Sequence, residues 1–376
     1  MSHDRNPLYC LIPPHIFVNI VKNGTAEERN AAITALEHDH SRRLTRTEFL
    51  ATTTPTTLLA AVGVGPHKHR TIYDCHHTTK QPPPWTVVRT EGQSPVTDTS
   101  VNRAYDDLGA TFDLYWKIYH RDSLDNKGMP LNSGVHFGVK TDNAFYDPSI
   151  KMMLFGDGDG VYFNDFTIPI DVPGHELTHG VTSFEANLIY SHQPGALNES
   201  ISDVFGSLVK QFTNNQTADK ADWLIGQGLF TKKVHGVALR SMKAPGTAYD
   251  DPVLGKDPQP GDMAHYQNVS GDNGGVHINS GIPNHAFYLA ASEIGSYAWQ
   301  KAGLIWYATL CDKALVKDAD FLTFANLTIR HARLLFGTGS VPHKAVFNAW
   351  KSVGLAVTSF MAEAFVAEHE LAGVGR

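Results

Sequence analysis

The sequence predicts an α+β fold in which a strand-rich first half precedes a mostly helical second half. Short runs of β-branched and aromatic residues, bounded by Gly, Pro or Asp, occupy the first half, whereas apolar residues at helical spacing dominate the end of the chain. The predicted strands are Arg70–Tyr73, Thr86–Arg89, Val135–Val139 and Met152–Phe155. The predicted late helices are Ile282–Ile294, Ala298–Leu315, Phe321–Leu335 and Val341–Val353.

One long amphipathic helix is expected within the strand-rich half, from Val101 to Tyr119. Its apolar positions recur every three or four residues, which indicates a helix packed on one face. These positions are Val101, Tyr105, Leu108, Phe112, Tyr115 and Tyr119.

Composition narrows the class of protein. The 376 residues, 42% hydrophobic and 18% charged, allow two sizeable domains. Net charge is −7, from 31 Lys and Arg against 38 Asp and Glu, and no basic stripe indicates a nucleic-acid partner. No apolar run is long enough to predict a membrane span. We therefore expect neither nucleic acid nor membrane as a partner.

Cysteine usage and the N-terminus carry further information. The three cysteines, Cys10, Cys75 and Cys311, are too few and too scattered for a disulfide framework. The apolar stretch after Cys10 is short and interrupted by Pro13 and Pro14, so it does not fit a secretory signal peptide.

The most informative motif is His175-Glu-Leu-Thr-His179. Residues four apart on a helix are separated by about 400° and roughly 6 Å along the axis, so His175 and His179 can bind one metal ion. Glu176 then lies beside that ion, where it can take a proton from a metal-bound water. The alternative is a helix face with two solvated histidines.

A catalytic zinc site needs a third protein ligand. Glu199 is the best candidate, because it lies on a second predicted helix, from Gly195 to Phe212, after a turn-prone stretch. Asp203 is four residues further along the same face and can accept the other ring N–H of a ligating histidine, as can Asn198. This set of residues favours a zinc-dependent hydrolase.

Four ordered motifs together resemble the thermolysin family of neutral metallopeptidases. The resemblance runs from about Arg70 to Leu355 and implies a thermolysin-like fold, one catalytic zinc ion, and endopeptidase cleavage on the amino side of apolar residues in peptide and protein substrates. The motifs are His175-Glu-Leu-Thr-His179-Gly-Val-Thr, Leu188-Ile-Tyr190, Pro194-Gly-Ala-Leu-Asn-Glu199-Ser-Ile-Ser-Asp203-Val-Phe-Gly and Asp272-Asn-Gly-Gly-Val-His277-Ile-Asn-Ser-Gly281.

The resemblance also assigns individual roles. His277, oriented by Asp272, and Tyr190 match the donors that bind the tetrahedral oxyanion, although from the residues alone Tyr190 also fits a core aromatic and His277 a loop histidine. Arg240 matches the arginine that binds a substrate backbone carbonyl. The remaining matches are the substrate-edge residues Asn143 and Ala144 and the pocket residues Phe163, Phe166, Val172 and Leu239, which equally fit ordinary core.

The first fifty residues are predicted to form a unit separate from the rest of the chain. Thr25 and Glu28 make a capping box that predicts a helix to about residue 40, and a polar, proline-interrupted stretch follows. A short N-terminal segment with Pro13-Pro14 resembles the propeptide of the protealysin-like branch, with His15 a departure from the apolar residue expected there. We expect the segment to inhibit the enzyme intramolecularly, with Cys10 as a further candidate zinc ligand.

The expected domains are a propeptide at 1–52, an N-terminal catalytic lobe at 53–187, a helical C-terminal lobe at 188–357 and an extension at 358–376. The family is secreted, so secretion is the expectation by analogy. Two other functions stay open at this point. They are a non-catalytic zinc protein and an aminopeptidase that uses the same motif.

Calcium is not expected at the double site of the family. Asp171 matches one carboxylate there, but other positions carry Lys210, Leu224 and Gln227. We interpret Asp171 instead as the N-cap of the helix bearing His175.

Two further clusters lack metal-site spacing. The run from Asp157 to Gly160 resembles the opening of an EF-hand loop, but Ile168 stands at the twelfth position, which favours a tight turn. A histidine-rich stretch is interpreted as a surface strand and loop, with a secondary metal site as the alternative; it contains His67, His69, Cys75, His76 and His77.

Overall fold

A five-stranded sheet packs against helices of the first lobe, and a mostly helical second lobe follows. The space between Ala144 at the sheet edge and Arg240 of the second lobe is called the cleft. The computed structural model describes residues 11–37, 68–79, 85–147 and 149–357. The sheet contains β1 (Arg70–Asp74), β2 (Thr86–Thr90), β3 (Leu131–Val135), β4 (Ala144–Asp147) and β5 (Met152–Phe155) in the order β2-β1-β3-β5-β4. Strands β1, β3 and β5 are parallel, while β2 and β4 run antiparallel at the two edges.

The first two helices, α1 (Pro14–Asn23) and α2 (26–37 in the described part), precede the sheet. Pro14 begins α1, where a missing backbone N–H costs nothing. The predicted capping box is confirmed. The backbone N of Thr25 donates to Glu28 Oε2 at 2.8 Å, and the backbone N of Glu28 donates to Thr25 Oγ1 at 3.3 Å.

Helix α3 (Thr99–Tyr119) packs against the sheet. Asp98 caps its start by accepting hydrogen bonds from the backbone N of Ser100 and Val101, and His120 ends it in a left-handed conformation. All six apolar positions predicted for its inner face are buried.

Two central helices, α4 (Asp171–Phe184) and α5 (His192–Thr213), cross in close contact. A Cβ on Gly206 would lie 2.6 Å from the Asp171 carbonyl oxygen and 3.1 Å from the His175 backbone N, so only glycine permits this approach. The close crossing brings the polar side chains of both helices into one buried layer.

The second lobe is mostly helical. Short ladders join β6 (Leu224–Ile225) to β7 (Arg240–Ser241) and β8 (Asp250–Asp251) to β9 (Gly255–Lys256), followed by a 3₁₀ turn at Met263–His265. The remaining helices are α6 (Asp272–Asn279), α7 (Gly281–Ile294), α8 (Ala302–Leu310), α9 (Phe321–Phe336) and α10 (Val341–Ser352). A strand-rich first lobe and a helical second lobe therefore agree with the sequence prediction.

Three local predictions were wrong. The third strand is Leu131–Val135, not Val135–Val139, because the chain turns at His136, whose φ is 55°. Helix α8 covers only Ala302–Leu310 of its predicted range. Asp171 is not the N-cap of α4, because Ile170 holds that position and the Asp171 carboxylate accepts a hydrogen bond from Gly226 N.

Two of the expected domain limits fall where the structure gives no description. The boundary at residue 52 and the extension at 358–376 lie outside the described residues, so both stay predictions.

Candidate active site and metal centre

Helix α4 places His175 and His179 one turn apart in the cleft, both fully buried. Their Nε2 atoms lie 3.1 Å apart. His175 Nδ1 contacts Asp203 Oδ1 at 2.8 Å, and His179 Nδ1 contacts the side-chain oxygen of Asn198 at 2.8 Å. The two residues predicted to support the ligands therefore each contact one of the imidazoles.

The proton positions that follow favour a cation. Asp203 and the Asn198 oxygen are acceptors, so each Nδ1 carries the proton and each Nε2 of a neutral imidazole presents a lone pair. Burial, followed by the neighbouring His175, lowers the pKa of His179 well below its ordinary value, which keeps that ring neutral. With both Nδ1 atoms facing acceptors, both Nε2 atoms are directed to one point, where a cation can accept both lone pairs.

Glu199, from α5, completes the set. Its carboxylate oxygens lie 3.5 Å from His175 Nε2 and 3.4 Å from His179 Nε2, and its buried Oε2 has no hydrogen bond to any described residue. One ligating atom from each residue falls within 4.8 Å of the others. Two neutral imidazoles and a carboxylate are a common donor set for catalytic zinc, so the residues fit that ion.

Glu176 points into the same space. Its Oε2 accepts a hydrogen bond from the backbone N of Tyr146 at 3.2 Å, while its buried Oε1 has no hydrogen-bond partner in the described ranges. Burial, and then the charge of Glu199, raises the pKa of Glu176 well above its ordinary value. One oxygen is thus fixed by the sheet edge and the other is available for proton transfer.

Tyr190 and His277 line the opposite wall of the site. The Tyr190 hydroxyl contacts the Glu199 carboxylate and lies 3.2 Å from His277 Nε2. His277 Nδ1 is 2.6 Å from Asp272 Oδ1. Burial opposes the charged form of His277, but Asp272 and then Glu199 outweigh it and raise its pKa to about 9.

A left-handed turn sets the Asp272–His277 geometry. The φ angles at Asp272, Asn273, Gly274 and Gly275 are 53°, 50°, 86° and 79°. The turn lets Asp272 Oδ2 accept a hydrogen bond from the His277 backbone N at 2.9 Å while Oδ1 holds the ring. Asparagine and glycine suit these conformations better than other residues.

Arg240 joins the metal support to the rest of the cleft. Its Nε and Nη2 donate to the two oxygens of Asp203, each at 2.8 Å. Asn284 Nδ2 also donates to Asp203 at 2.8 Å. Sequence reasoning missed Asn284, because a single asparagine one turn into a helix gives no distinguishing pattern.

The N-terminal segment lies in the cleft. Leu11 N donates to the Ala144 carbonyl at 3.3 Å, and Ile12 N donates to Asn143 Oδ1 at 3.4 Å. Arg240 Nη1 donates to the Leu11 carbonyl at 3.2 Å. Leu11 and Ile12 are 0% and 1% exposed, so the surrounding residues enclose both side chains.

Helix α1 continues this contact along the second lobe. His15 Nε2 lies 2.8 Å from the Tyr249 hydroxyl, and Asn19 donates to the Leu254 carbonyl at 2.8 Å. Pro13 precedes the helix and Pro14 begins it, whereas Cys10 lies outside the described residues, so zinc ligation by its thiol stays a prediction.

The four predicted pocket residues are all buried. Phe163, Phe166 and Val172 are 0% exposed and Leu239 is 2% exposed. Phe163 packs beside Phe166, with ring centroids 5.9 Å apart. Burial is consistent with both a pocket wall and ordinary core.

Comparisons with known proteins assign this site to a class. Residues 65–183 match the thermolysin metallopeptidase catalytic domain, and residues 186–355 match the thermolysin metallopeptidase alpha-helical domain. The chain belongs to the thermolysin family of metallopeptidases, and this family implies zinc.

Within that family the chain is similar to proteins of the protealysin type. It is 49% identical to an extracellular metalloprotease of Pectobacterium carotovorum subsp. carotovorum, covering 93% of this chain and 97% of the relative. It is 49% identical to protease PrtS of a Photorhabdus species, covering 95% of each. The solved precursor of protealysin from Serratia proteamaculans is 51% identical, with a TM-score of 0.82, over 93% of this chain and all of that chain.

Among the helices in the described ranges, none has the length and apolar character needed to cross a bilayer.

Proposed function

We propose that this metalloprotease is a zinc endopeptidase made as a latent precursor, which cleaves peptide bonds on the amino side of apolar residues. The observation that carries the proposal is the buried trio of His175, His179 and Glu199 beside the available Oε1 of Glu176. A non-catalytic zinc protein would need the trio but not a buried carboxylate aimed at the same space. An aminopeptidase would need an anionic group positioned to bind a free amino terminus, whereas the cleft binds backbone groups of a chain interior.

Glu176 is the proposed general base. His175, His179 and Glu199 would hold the zinc ion, which when bound would lower the pKa of a water to about 7 and polarise a substrate carbonyl. Glu176 Oε1 accepts the proton of the attacking water and then delivers it to the departing amine. Tyr146 N holds the other carboxylate oxygen, so the group is oriented before substrate arrives.

Tyr190 and His277 are the proposed oxyanion donors. Their polar atoms lie 3.2 Å apart on one wall, and an oxygen that faces this wall can receive hydrogen bonds from both. Asp272 supports the doubly protonated form of His277, the only form in which Nε2 donates while Nδ1–H is held by a carboxylate. The pair therefore stabilises negative charge as it develops.

Substrate is positioned by Arg240, Asn143 and Ala144. Each of these residues hydrogen-bonds a backbone group of the N-terminal segment, and an extended peptide offers the same donors and acceptors. Phe163, Phe166, Val172 and Leu239 supply apolar surface for the side chain after the cut. This surface supports a preference for apolar residues there.

Latency follows from shared contacts. Leu11 and Ile12 use the Arg240, Asn143 and Ala144 groups that we assign to substrate, so segment and substrate compete for the same donors and acceptors. The extracellular description of the Pectobacterium relative supports action outside the cell for this chain as well. We place the removable segment at residues 1–52.

The test uses an unstructured protein, β-casein, with the full chain and with chain lacking residues 1–52. The processed wild-type chain is expected to cleave β-casein at internal bonds. The cleavage rate is expected to fall on the order of 10³-fold in Glu176→Gln or after chelation with 1,10-phenanthroline. Glu293→Gln is the matched control, because Glu293 lies on the surface and bonds Asn348 at 3.1 Å, away from the cleft.

Three results would contradict separate parts of the proposal. Internal cleavage that persists in Glu176→Gln would remove the mechanism. New N-termini that are not enriched in apolar residues would remove the specificity, and equal activity of full and processed chain would remove the latency.

A further inference from the structure

Three neighbouring strands of the sheet each end near a potential metal ligand. Strands β1, β3 and β5 are parallel and adjacent, so their carboxyl ends lie at one edge of the sheet. His77 follows β1, His136 follows β3 directly, and Asp157 follows β5. This edge is separate from the α4–α5 site, and no role in the proposed hydrolysis uses it.

The three side chains converge. His136 Nδ1 lies 2.8 Å from Asp157 Oδ1, and His77 Nδ1 lies 3.3 Å from Asp157 Oδ2. One ligating atom from each residue falls within 4.8 Å of the others. Ligands that bind one zinc ion at about 2.1 Å lie no more than about 4.2 Å apart, and the two contacts to Asp157 are both shorter than that.

The backbone is bent to produce this arrangement. His77 N donates to the His136 carbonyl at 2.9 Å, which ties the two turns together. His77 and His136 adopt left-handed φ angles of 54° and 55°. Such angles are uncommon outside glycine and cost energy, and they turn both rings toward Asp157.

A fourth residue orients the cluster. Asp98 Oδ2 lies 2.9 Å from His136 Nε2, while its Oδ1 caps helix α3. A carboxylate behind a histidine fixes the ring with its other nitrogen toward the ligand space, which is the arrangement found around bound metal ions. The carboxylate is rigid because the helix start holds it.

We propose that His77, His136 and Asp157 form a second metal site for a divalent ion of the zinc class, with Asp98 as the residue that orients His136. Two imidazoles and one carboxylate match the donor preference of Zn²⁺ over Ca²⁺ or Mg²⁺. The His77 side chain is 57% exposed, so the ion reaches the site from solvent and completes its coordination with water. The ion links the ends of three strands.

The experiment counts zinc on the full chain carrying Glu176→Gln, which prevents self-digestion. Protein is dialysed against buffered free Zn²⁺ and the bound zinc per chain is measured by mass spectrometry. The parent is expected to bind a second equivalent above the first, and His77→Asn to bind that second equivalent about tenfold more weakly. Asn tolerates the left-handed backbone of position 77.

His76→Asn is the matched control, because His76 is adjacent, has a φ of 51° and a half-exposed side chain, but contacts Asp74 and Thr86 instead of the cluster. The His76→Asn variant is expected to bind the second zinc ion with the same affinity as the parent. Asp98→Asn keeps a helix-capping side chain and is expected to weaken the second site by about tenfold.

Two results would overturn the proposal of a second site. One is saturation at a single zinc ion per chain up to roughly 100 micromolar free zinc. A site weaker than that would stay empty and add no stability. The other is an equal effect of His77→Asn and His76→Asn. Unchanged far-ultraviolet circular dichroism in each variant shows that loss of zinc is not loss of fold, and the first equivalent reports separately on the proposed catalytic trio.

Discussion

Arg240 holds both carboxylate oxygens of Asp203, and the same guanidinium reaches the Leu11 carbonyl through its third nitrogen. Asp203 in turn accepts the Nδ1 proton of His175. One buried arginine therefore connects the support of a metal ligand to the backbone of whatever chain lies in the cleft.

Arg240→Lys is expected to lower kcat/KM by about 10²-fold and zinc affinity by about 10–100-fold. A lysine cannot make the two-point contact with Asp203, so the carboxylate no longer holds His175 in place. Zinc retention against a competing chelator and steady-state kinetics on a short peptide measure the two effects.

Arg121→Lys is the control for this change, because Arg121 is equally buried but pairs with Glu185, which is not part of the metal site. It is expected to lose stability with normal zinc affinity. An Arg240→Lys enzyme that keeps wild-type zinc affinity would show that the Asp203 link is not needed for metal support.

Asp272→Asn is expected to reduce kcat by about 10²-fold with little change in KM. The amide removes the charge that favours the doubly protonated His277, so Nε2 becomes a poorer donor to the developing oxyanion. Zinc content should stay at the wild-type level, because the Nδ1 atoms of the ligating histidines are held by Asp203 and Asn198 and not by Asp272. A parallel rise in KM and fall in zinc content would indicate a structural role instead.

Lowering the pH is expected to weaken docking of the N-terminal segment. In the docked state the pKa of His15 is lowered to about 4, mainly by burial. The charge of Asp272 opposes this change, whereas those of His277 and Arg240 lower the pKa further. A released His15 titrates near 6.5, so docking is favoured at neutral pH, weakens as the pH falls below 6.5 and reaches its minimum below 4. Between about pH 7 and pH 5 the loss is about 20-fold in the docking equilibrium.

Hydrogen exchange of the α1 amides in full-length Glu176→Gln, corrected for intrinsic rates, measures this loss. His15→Phe should abolish the pH dependence, because an apolar ring fills the space without titrating. Exchange protection that is the same at both pH values in the parent would refute the role of His15.

Calcium is expected to have no effect on stability. The Lys210 ammonium lies 2.7 Å from Asp222 and 3.5 Å from the buried Asp171, so a cation of the protein already sits among these carboxylates. Burial opposes the charge on Lys210, but the two carboxylates raise its pKa. Melting at fixed zinc should be the same with calcium and with a calcium-selective chelator.

Lys210→Met is expected to destabilise the protein by about 3 kcal/mol, because the buried Asp171 carboxyl loses its charged partner. Lys220→Met, at a lysine that is 75% exposed, is the control and should change stability by no more than about 0.5 kcal/mol. A calcium-dependent rise in melting temperature of the unaltered chain would contradict the prediction.

The sequence was sufficient to predict those parts of the site whose residues lie a fixed number of positions apart on one helix. The four-residue intervals His175 to His179 and Glu199 to Asp203 are fixed by helix geometry, so they translated directly into the observed layer. The sequence was not sufficient where long-range pairing decides position. The end of β3 depends on the left-handed His136, and the approach of His77 to His136 depends on the register that pairs Asp74 with Val135. Neither leaves a periodic signal in the sequence.

Leu11 belongs to the same polypeptide chain as the cleft that it occupies, so its binding there does not depend on the protein concentration. A segment tethered by a short flexible linker has an effective concentration on the order of millimolar, whatever the protein concentration. Diluting the intact chain therefore leaves the cleft filled. Once the chain is cut between the two, the same contacts become bimolecular, and dilution alone empties the cleft.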